Sequence, residues 1–199
     1  MLISVVERVM VRVGNLLSPS STNRMHFHNY FHAANVVKWV GILCDESGVD
    51  QHYEQLLKIA AWCHDLGIII DYQNHENESI SISRNILSEE GVSEEDIKFI
   101  VSCINATRMP QKPNNCYEEI LCDADLAHLG SPDYLSWSKK LRLEWEQVLG
   151  LKFTDCEWVK LNIEFFAQHS YHSKVGQRHL ENQKIENQKK LLNLVTFDC

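Results

Sequence analysis

The chain has 199 residues, 44% of them hydrophobic, with four prolines and eight glycines, a composition suited to one compact, core-forming domain rather than a disordered segment. Its formal net charge is −8 and no more than two Lys or Arg residues stand in a row, which argues against the basic footprint a nucleic-acid polymer requires. A small phosphate ester stays open as a ligand, because a bound metal can supply local positive charge in an acidic protein.

Residues 2–17 predict a first helix, an amphipathic element within positions 1–20, because Glu7, Arg8 and Arg12 interrupt its apolar residues. The same charges argue against a signal peptide or a membrane span. Ser18-Pro19-Ser20-Ser21-Thr22-Asn23 is expected to stop it. A second helix is expected over about 26–46, with Val36, Val37, Val40 and Leu43 on its apolar side. The third covers 51–66, and Gly67 follows in the place where a left-handed cap is cheap. Ile68–Asn74 is expected to cross the core as a short loop.

Helices near 75–90, 94–106 and 118–129 come next, with Ser93 and Asp96 as a start signal for the middle one. Pro110 and Pro113 mark a long loop from Arg108 to Asn115. Pro132 then admits a helix over 133–149, Thr154 or Asp155 caps one to about 170, and a polar last helix covers about 175–194. No segment alternates strongly enough to argue for a sheet. The expected fold is therefore all-α, a single compact multi-helix bundle over residues 1–199.

The seven cysteines (Cys44, Cys63, Cys103, Cys116, Cys122, Cys156 and Cys199) are odd in number and contain no Cys-x-x-Cys. That pattern predicts free thiols and a reducing, cytoplasmic setting rather than a disulfide framework.

The chemistry centres on His64-Asp65, two ionisable residues at the end of the apolar run Leu56-Leu57-Lys58-Ile59-Ala60-Ala61-Trp62-Cys63. Charge inside a core is costly unless it is paired or coordinates a metal. Arg24, His28 and His32 are spaced by four, so a continuous helix would line them along one face. Asp125, on a later helix, could complete a two-His, two-Asp set. Mixed imidazole and carboxylate donors suit Mn²⁺, Fe²⁺, Co²⁺, Ni²⁺ or Zn²⁺. A structural zinc site is more often closed and sulfur-rich, so an open His/Asp set leans towards catalysis.

Four segments together resemble the HD-domain metal-dependent phosphohydrolases, in particular their small single-domain bacterial members. They are Phe27-His28-Asn29-Tyr30-Phe31-His32, Trp62-Cys63-His64-Asp65-Leu66-Gly67, His75-Glu76-Asn77-Glu78-Ser79, and Cys122-Asp123-Ala124-Asp125-Leu126-Ala127-His128-Leu129-Gly130. With Leu141-Arg142-Leu143-Glu144 and the closing helix, the resemblance covers about residues 24–195. It implies one divalent metal per chain, held by His32, His64, Asp65 and Asp125. Asp123 is the alternative fourth ligand, or else an acceptor that orients a histidine. His28 would contact the water or phosphate, and Glu76 would act as general acid or base. His75 stands where dinuclear members bind a second metal. Arg24 precedes the first motif at a slightly different spacing from the family's basic residue; with Arg108, Lys112 and Arg142 it makes up the candidate anion-binding set.

Other prominent residues have plainer readings. His26, His52 and His128 receive no role, and His169, His172 and His179 read as a solvated face. Trp39, Trp137, Trp145 and Trp158 read as packing, Glu78 as a helix N-terminal carboxylate, and Cys63 as a small buried hydrophobe. The expected activity is phosphohydrolysis of a small phosphorylated substrate, such as a nucleotide, by attack of metal-activated water on phosphorus. The alternatives are a di-iron HD-type oxygenase and a non-catalytic metal- or nucleotide-binding regulatory module. No membrane partner is expected, and the oligomeric state is left open.

Overall fold

The structure is a computed structural model and describes residues 2–18 and 23–198; the expected stop at Ser18–Asn23 falls largely outside them. The described residues form helices joined by turns, with no strand. In chain order they are α1 (Leu2–Leu16), α2 (Tyr30–Ser47), α3 (Gln51–Cys63), α4 (His75–Glu89), α5 (Glu94–Ala106), α6 (Cys116–Asp125), α7 (Tyr134–Val148), α8 (Asp155–Gln168) and α9 (Lys174–Asp198). Two 3-10 turns, Leu66–Ile69 and Leu126–Gly130, continue α3 and α6 beyond their last regular residues. The all-α reading holds. None of the described helices is long and apolar enough to cross a membrane.

Several boundaries follow from caps that the sequence announces. Ser93 accepts a hydrogen bond from the Asp96 amide at 3.2 Å and starts α5. Thr154 and Glu157 form a reciprocal capping box at α8. Helix α2 departs from expectation by starting at Tyr30 instead of 26. The Asn29 side chain accepts from the Phe31 and His32 amides at 2.9 and 3.3 Å, and so fixes the first turn there.

The end of α3 also differs. The helix stops at Cys63, His64 keeps helical angles, and Asp65 turns out of them at φ −107° and ψ 10°. Gly67 is not a left-handed cap. It is required because the following 3-10 turn packs directly on α4: a Cβ at Gly67 would lie 2.0 Å from the His75 carbonyl oxygen and 2.5 Å from the Ser79 nitrogen. The Gly67 amide in turn donates to Ser79 Oγ at 2.8 Å.

The main core joins α1, α2, α3, α5 and α6 through fully buried residues such as Val9, Val36, Val40, Leu57, Ile100 and Leu121. Each such side chain contributes about 1.5–3 kcal/mol relative to exposure. A second cluster, with Leu129, Tyr134, Phe166 and Leu191, ties the later 3-10 turn to α7, α8 and α9. The candidate site residues lie between the two. Cys44, Cys63, Cys103, Cys116 and Cys122 are free thiols, as expected. Cys156 departs from that expectation, being disulfide-bonded.

Because the Gly67 contacts are backbone atoms, which have little room to give, Gly67→Ala should destabilise the fold by about 3 kcal/mol. Urea unfolding monitored by circular dichroism measures it, and an unchanged midpoint would contradict the close packing.

Candidate metal centre

Helix α2 supplies His32 from its first turn, the end of α3 supplies His64 and Asp65, and the end of α6 supplies Asp125. All four reach one point in the interior. His32 Nε2 lies 3.3 Å from Asp65 Oδ2 and 3.3 Å from Asp125 Oδ1. His64 Nε2 lies 3.0 Å from Asp65 Oδ2 and 3.4 Å from Asp125 Oδ1. The two Nε2 atoms are 3.3 Å apart.

These separations fit a shared cation. Donors about 2.1 Å from a transition-metal ion are separated by about 3.0 Å at octahedral angles and about 3.4 Å at tetrahedral ones. The hydrogen bonding agrees. His64 Nδ1 donates to the Ala61 carbonyl oxygen at 2.8 Å, which directs the Nε2 lone pair inward in the neutral ring. Asp65 Oδ2 is buried, and it faces the two histidine Nε2 atoms. His32, His64 and Asp125 already form a geometrically compact donor group.

The electrostatics also favour positive charge at this point. Burial alone would lower the histidine pKa values, but hydrogen bonds to Asp125 and Asp65 raise His32. The Asp65 charge, with hydrogen bonds to Asp125 and Asp65, raises His64 well above its ordinary value. Burial pushes the two carboxylates up, yet the histidines win and hold both below the ordinary range. The residues present therefore fit a divalent ion by distance, tautomer and charge.

Next to this cluster, His75 Nε2 lies 3.4 Å from the other Asp65 oxygen, Oδ1, and 3.7 Å from Glu76 Oε1. Burial opposes charge on the His75 ring, but Asp65 overrides it and raises the ring to about 9. Gln111, from the proline-marked loop, reaches Asp125 Oδ2 at 3.3 Å. His28 and Glu76 both line the cavity beside the cluster.

His28 does not share a helical face with Arg24 and His32, because residues 24–29 precede the helix. Its Nδ1–H donates instead to Glu144, a fully buried carboxylate of α7. Glu144 also accepts from the Phe27 and His28 amides at 2.7 and 3.0 Å and from the Tyr72 hydroxyl at 2.7 Å. In the segment Leu141-Arg142-Leu143-Glu144 it is thus Glu144, and not the expected Arg142, that reaches the site. The available signal was the stripe Leu141, Trp145 and Val148, in which one carboxylate sits on an otherwise apolar helical face.

The remaining expected site residues lie elsewhere. Asp123 is not oriented towards a histidine: it accepts from the His172 and Ser173 amides at 2.7 and 2.8 Å and from the Ser173 hydroxyl at 2.6 Å. Arg142 bonds Glu146, Asp155 and the Phe153 carbonyl, bracing α7 against the start of α8. Arg108 donates to Asn77 at 2.7 Å, and Arg24 and Lys112 are exposed. None of the four cations lines the cavity.

The cavity beside the cluster measures about 310 Å³, within the range of small-molecule sites. Asp65, Asp125, His75 and Glu76 form one side of it, while Leu129, Leu161, Trp145, Trp158 and Phe165 form part of the other. Fold and site thus define an all-helical protein with a buried His/Asp centre opening into a largely apolar chamber.

No protein-family model matches the sequence, and no curated protein does. Among solved structures the fold is similar to Bacillus subtilis YpgQ in complex with ADP, with a TM-score of 0.71 and 14% identity over 100% of this chain and 96% of that one. A Lactobacillus plantarum protein is similar to the same degree, with a TM-score of 0.71 and 13% identity over 97% of this chain and 96% of its own. At such identities the likeness establishes the fold.

One histidine expected on a solvated face is instead enclosed. His169 packs against Phe165 and Tyr171, and both of its ring nitrogens are buried without partners. Burial first, and then the charge of Lys184, push its pKa down to about 3. The unfolded chain therefore takes up this proton first, near pH 6.5. The stability tied to the neutral ring is complete above that pH and is lost as pH falls from about 6.5 towards 3. His169→Phe should remove up to about 1.4 kcal/mol per pH unit from the acid-side slope. Urea unfolding between pH 4 and 7 tests this, and an unchanged slope would contradict it.

Glu144→Ala should cost about 3 kcal/mol, because it leaves two amides and the Tyr72 hydroxyl without their shared acceptor. Thermal and urea unfolding of the purified variant measure the loss.

Proposed function

We propose that this chain is a metal-dependent phosphohydrolase of the HD type acting on a small phosphorylated molecule. The observation that carries the reading is the convergence of His32, His64, Asp65 and Asp125 at separations of 3.0–3.4 Å, beside a cavity able to hold a substrate. The ADP complex of the structurally similar YpgQ supports a phosphorylated ligand for this fold.

A divalent ion in the cluster would acidify a water molecule and polarise a phosphoryl oxygen. The protein's own groups complete the site. Glu76 is positioned at the cavity wall to hold or return a proton. Glu144 fixes His28 through Nδ1, so that its Nε2 can hydrogen-bond the phosphoryl group or the water. Gln111 restrains Asp125 through Oδ2, and the Ala61 carbonyl fixes the His64 ring.

A second reading has its own observation. Asp65 presents Oδ2 to His32 and His64 and Oδ1 to His75, so His75, Glu76 and Asp65 are the residues that would hold a second ion. Two irons there would favour the oxygenase alternative.

Elemental analysis of native protein and His64→Ala separates these readings. One divalent equivalent, lost in the variant, is expected; two equivalents of iron would replace the hydrolase reading, and none after reconstitution would leave a regulatory module. Glu76→Gln should retain the metal yet lower kcat about 10²-fold or more. Full activity in that variant would remove Glu76 from proton transfer.

A further inference from the structure

The cavity's far wall narrows the substrate class, an inference that rests on the phosphohydrolase reading. Its metal side already holds the carboxylates of Asp65, Glu76 and Asp125, and among the described lining residues no Lys or Arg offsets them. A nucleoside di- or triphosphate brings several negative charges, and phosphate recognition ordinarily relies on Arg, Lys or a row of backbone amides. One divalent ion can compensate one phosphoryl group there, but among the described lining residues the chamber adds no Lys or Arg for a longer polyphosphate, and the His75 ring is already engaged by Asp65 and Glu76.

The polar groups at the far end are engaged with one another. Trp158 Nε1 donates to Ser138 Oγ at 2.8 Å. The Tyr134 hydroxyl donates to Asn162 Oδ1 at 2.5 Å, and Asn162 Nδ2 donates to the Trp158 carbonyl at 2.6 Å. These groups therefore act as wall, with their main hydrogen-bonding capacity already used inside the protein. Around them the lining is Leu129, Leu141, Leu161, Trp145 and Phe165. A sugar or base buried here would give up its hydration for few new hydrogen bonds, whereas an apolar group would gain by leaving water.

We propose that the substrate is a phosphate ester with a single phosphoryl group and an apolar aryl or alkyl body, preferred over nucleoside phosphates. Hydrolysis would form a P–O bond from water, break the ester P–O bond and release the alcohol, which takes up a proton. The phosphoryl group lies at the His/Asp centre and the apolar body fills the chamber between α7 and α8.

The test uses the full, metal-loaded chain. 1-Naphthyl phosphate, AMP, ADP and ATP are compared by kcat/KM. In parallel, 1-naphthylmethylphosphonate, whose C–P bond resists hydrolysis, is compared with AMP by titration calorimetry. We expect naphthyl phosphate to exceed AMP and ADP by about tenfold or more in kcat/KM, with the same order in binding. Leu161→Asn should weaken the phosphonate by about tenfold while leaving metal content unchanged.

Equal or tighter binding of AMP, or faster turnover of any nucleotide, overturns the apolar-substrate inference and leaves the hydrolase reading standing. Metal-loaded protein that prefers the phosphonate by tenfold yet cleaves no ester supports the chamber's selectivity and overturns the hydrolase reading. Should Leu161→Asn fail to fold, the comparison of ligands on the native protein decides the matter alone.

Discussion

The structure turns on the burial of four ionisable side chains where α2, α3 and α6 meet. Isolated charges in such a place would be prohibitively unfavourable. Here two imidazoles and two carboxylates share the same small volume, and each imidazole–carboxylate pair offsets part of the cost of burial. The helix boundaries serve this packing. Asn29 begins α2 so that His32 lies in its first turn, and α3 ends before Asp65 so that two adjacent residues can face one point. Gly67 lets the chain turn closely against α4 immediately afterwards. Apolar helices flank the junction on one side and the second core cluster on the other, and it opens into the chamber.

A second buried carboxylate organises the approach to that junction. Glu144 gathers Phe27, His28 and Tyr72, three residues distant from it in sequence, and thereby joins the segment before α2 to α7 and to the loop before α4. The polar chain from Glu144 to His28 stands beside the His/Asp cluster, and both face the same chamber. Its opposite wall comes from α7 and α8, so one side of the chamber is ionic and the other greasy. The contrast lies within one cavity rather than between separate sites.

Much of this was legible in the sequence because charge inside an apolar run is conspicuous. His64-Asp65 stands out against Leu56–Cys63, and Asp125 follows Ile120-Leu121-Cys122 in the same way. What periodicity misjudged were places where one side chain overrides a pattern. Arg24, His28 and His32 have helical spacing, but Asn29 starts the helix between them. Gly67 has the look of a left-handed cap, although its role is to let two backbones meet. The surroundings of Glu144 are assembled from segments far apart in the chain, and His169 is covered by Phe165 and Tyr171, whose closure over its ring no helical period announces. Arg142 attracted notice as a cation, yet its partners on α8 leave it bracing the helices.

The two carboxylates of Asp123-Ala124-Asp125 point to different neighbours. Asp125 faces the histidines, while Asp123 secures the amides of His172 and Ser173 just ahead of α9, where Gly176 packs so closely that a Cβ would meet Asp123 Oδ2 at 2.2 Å. The end of α6 is thus a short lever with the His/Asp cluster on one arm and the root of the C-terminal helix on the other. A displacement of α9 reaches Asp125 through two residues of backbone, so the C-terminal helix forms part of the frame that holds the centre in shape.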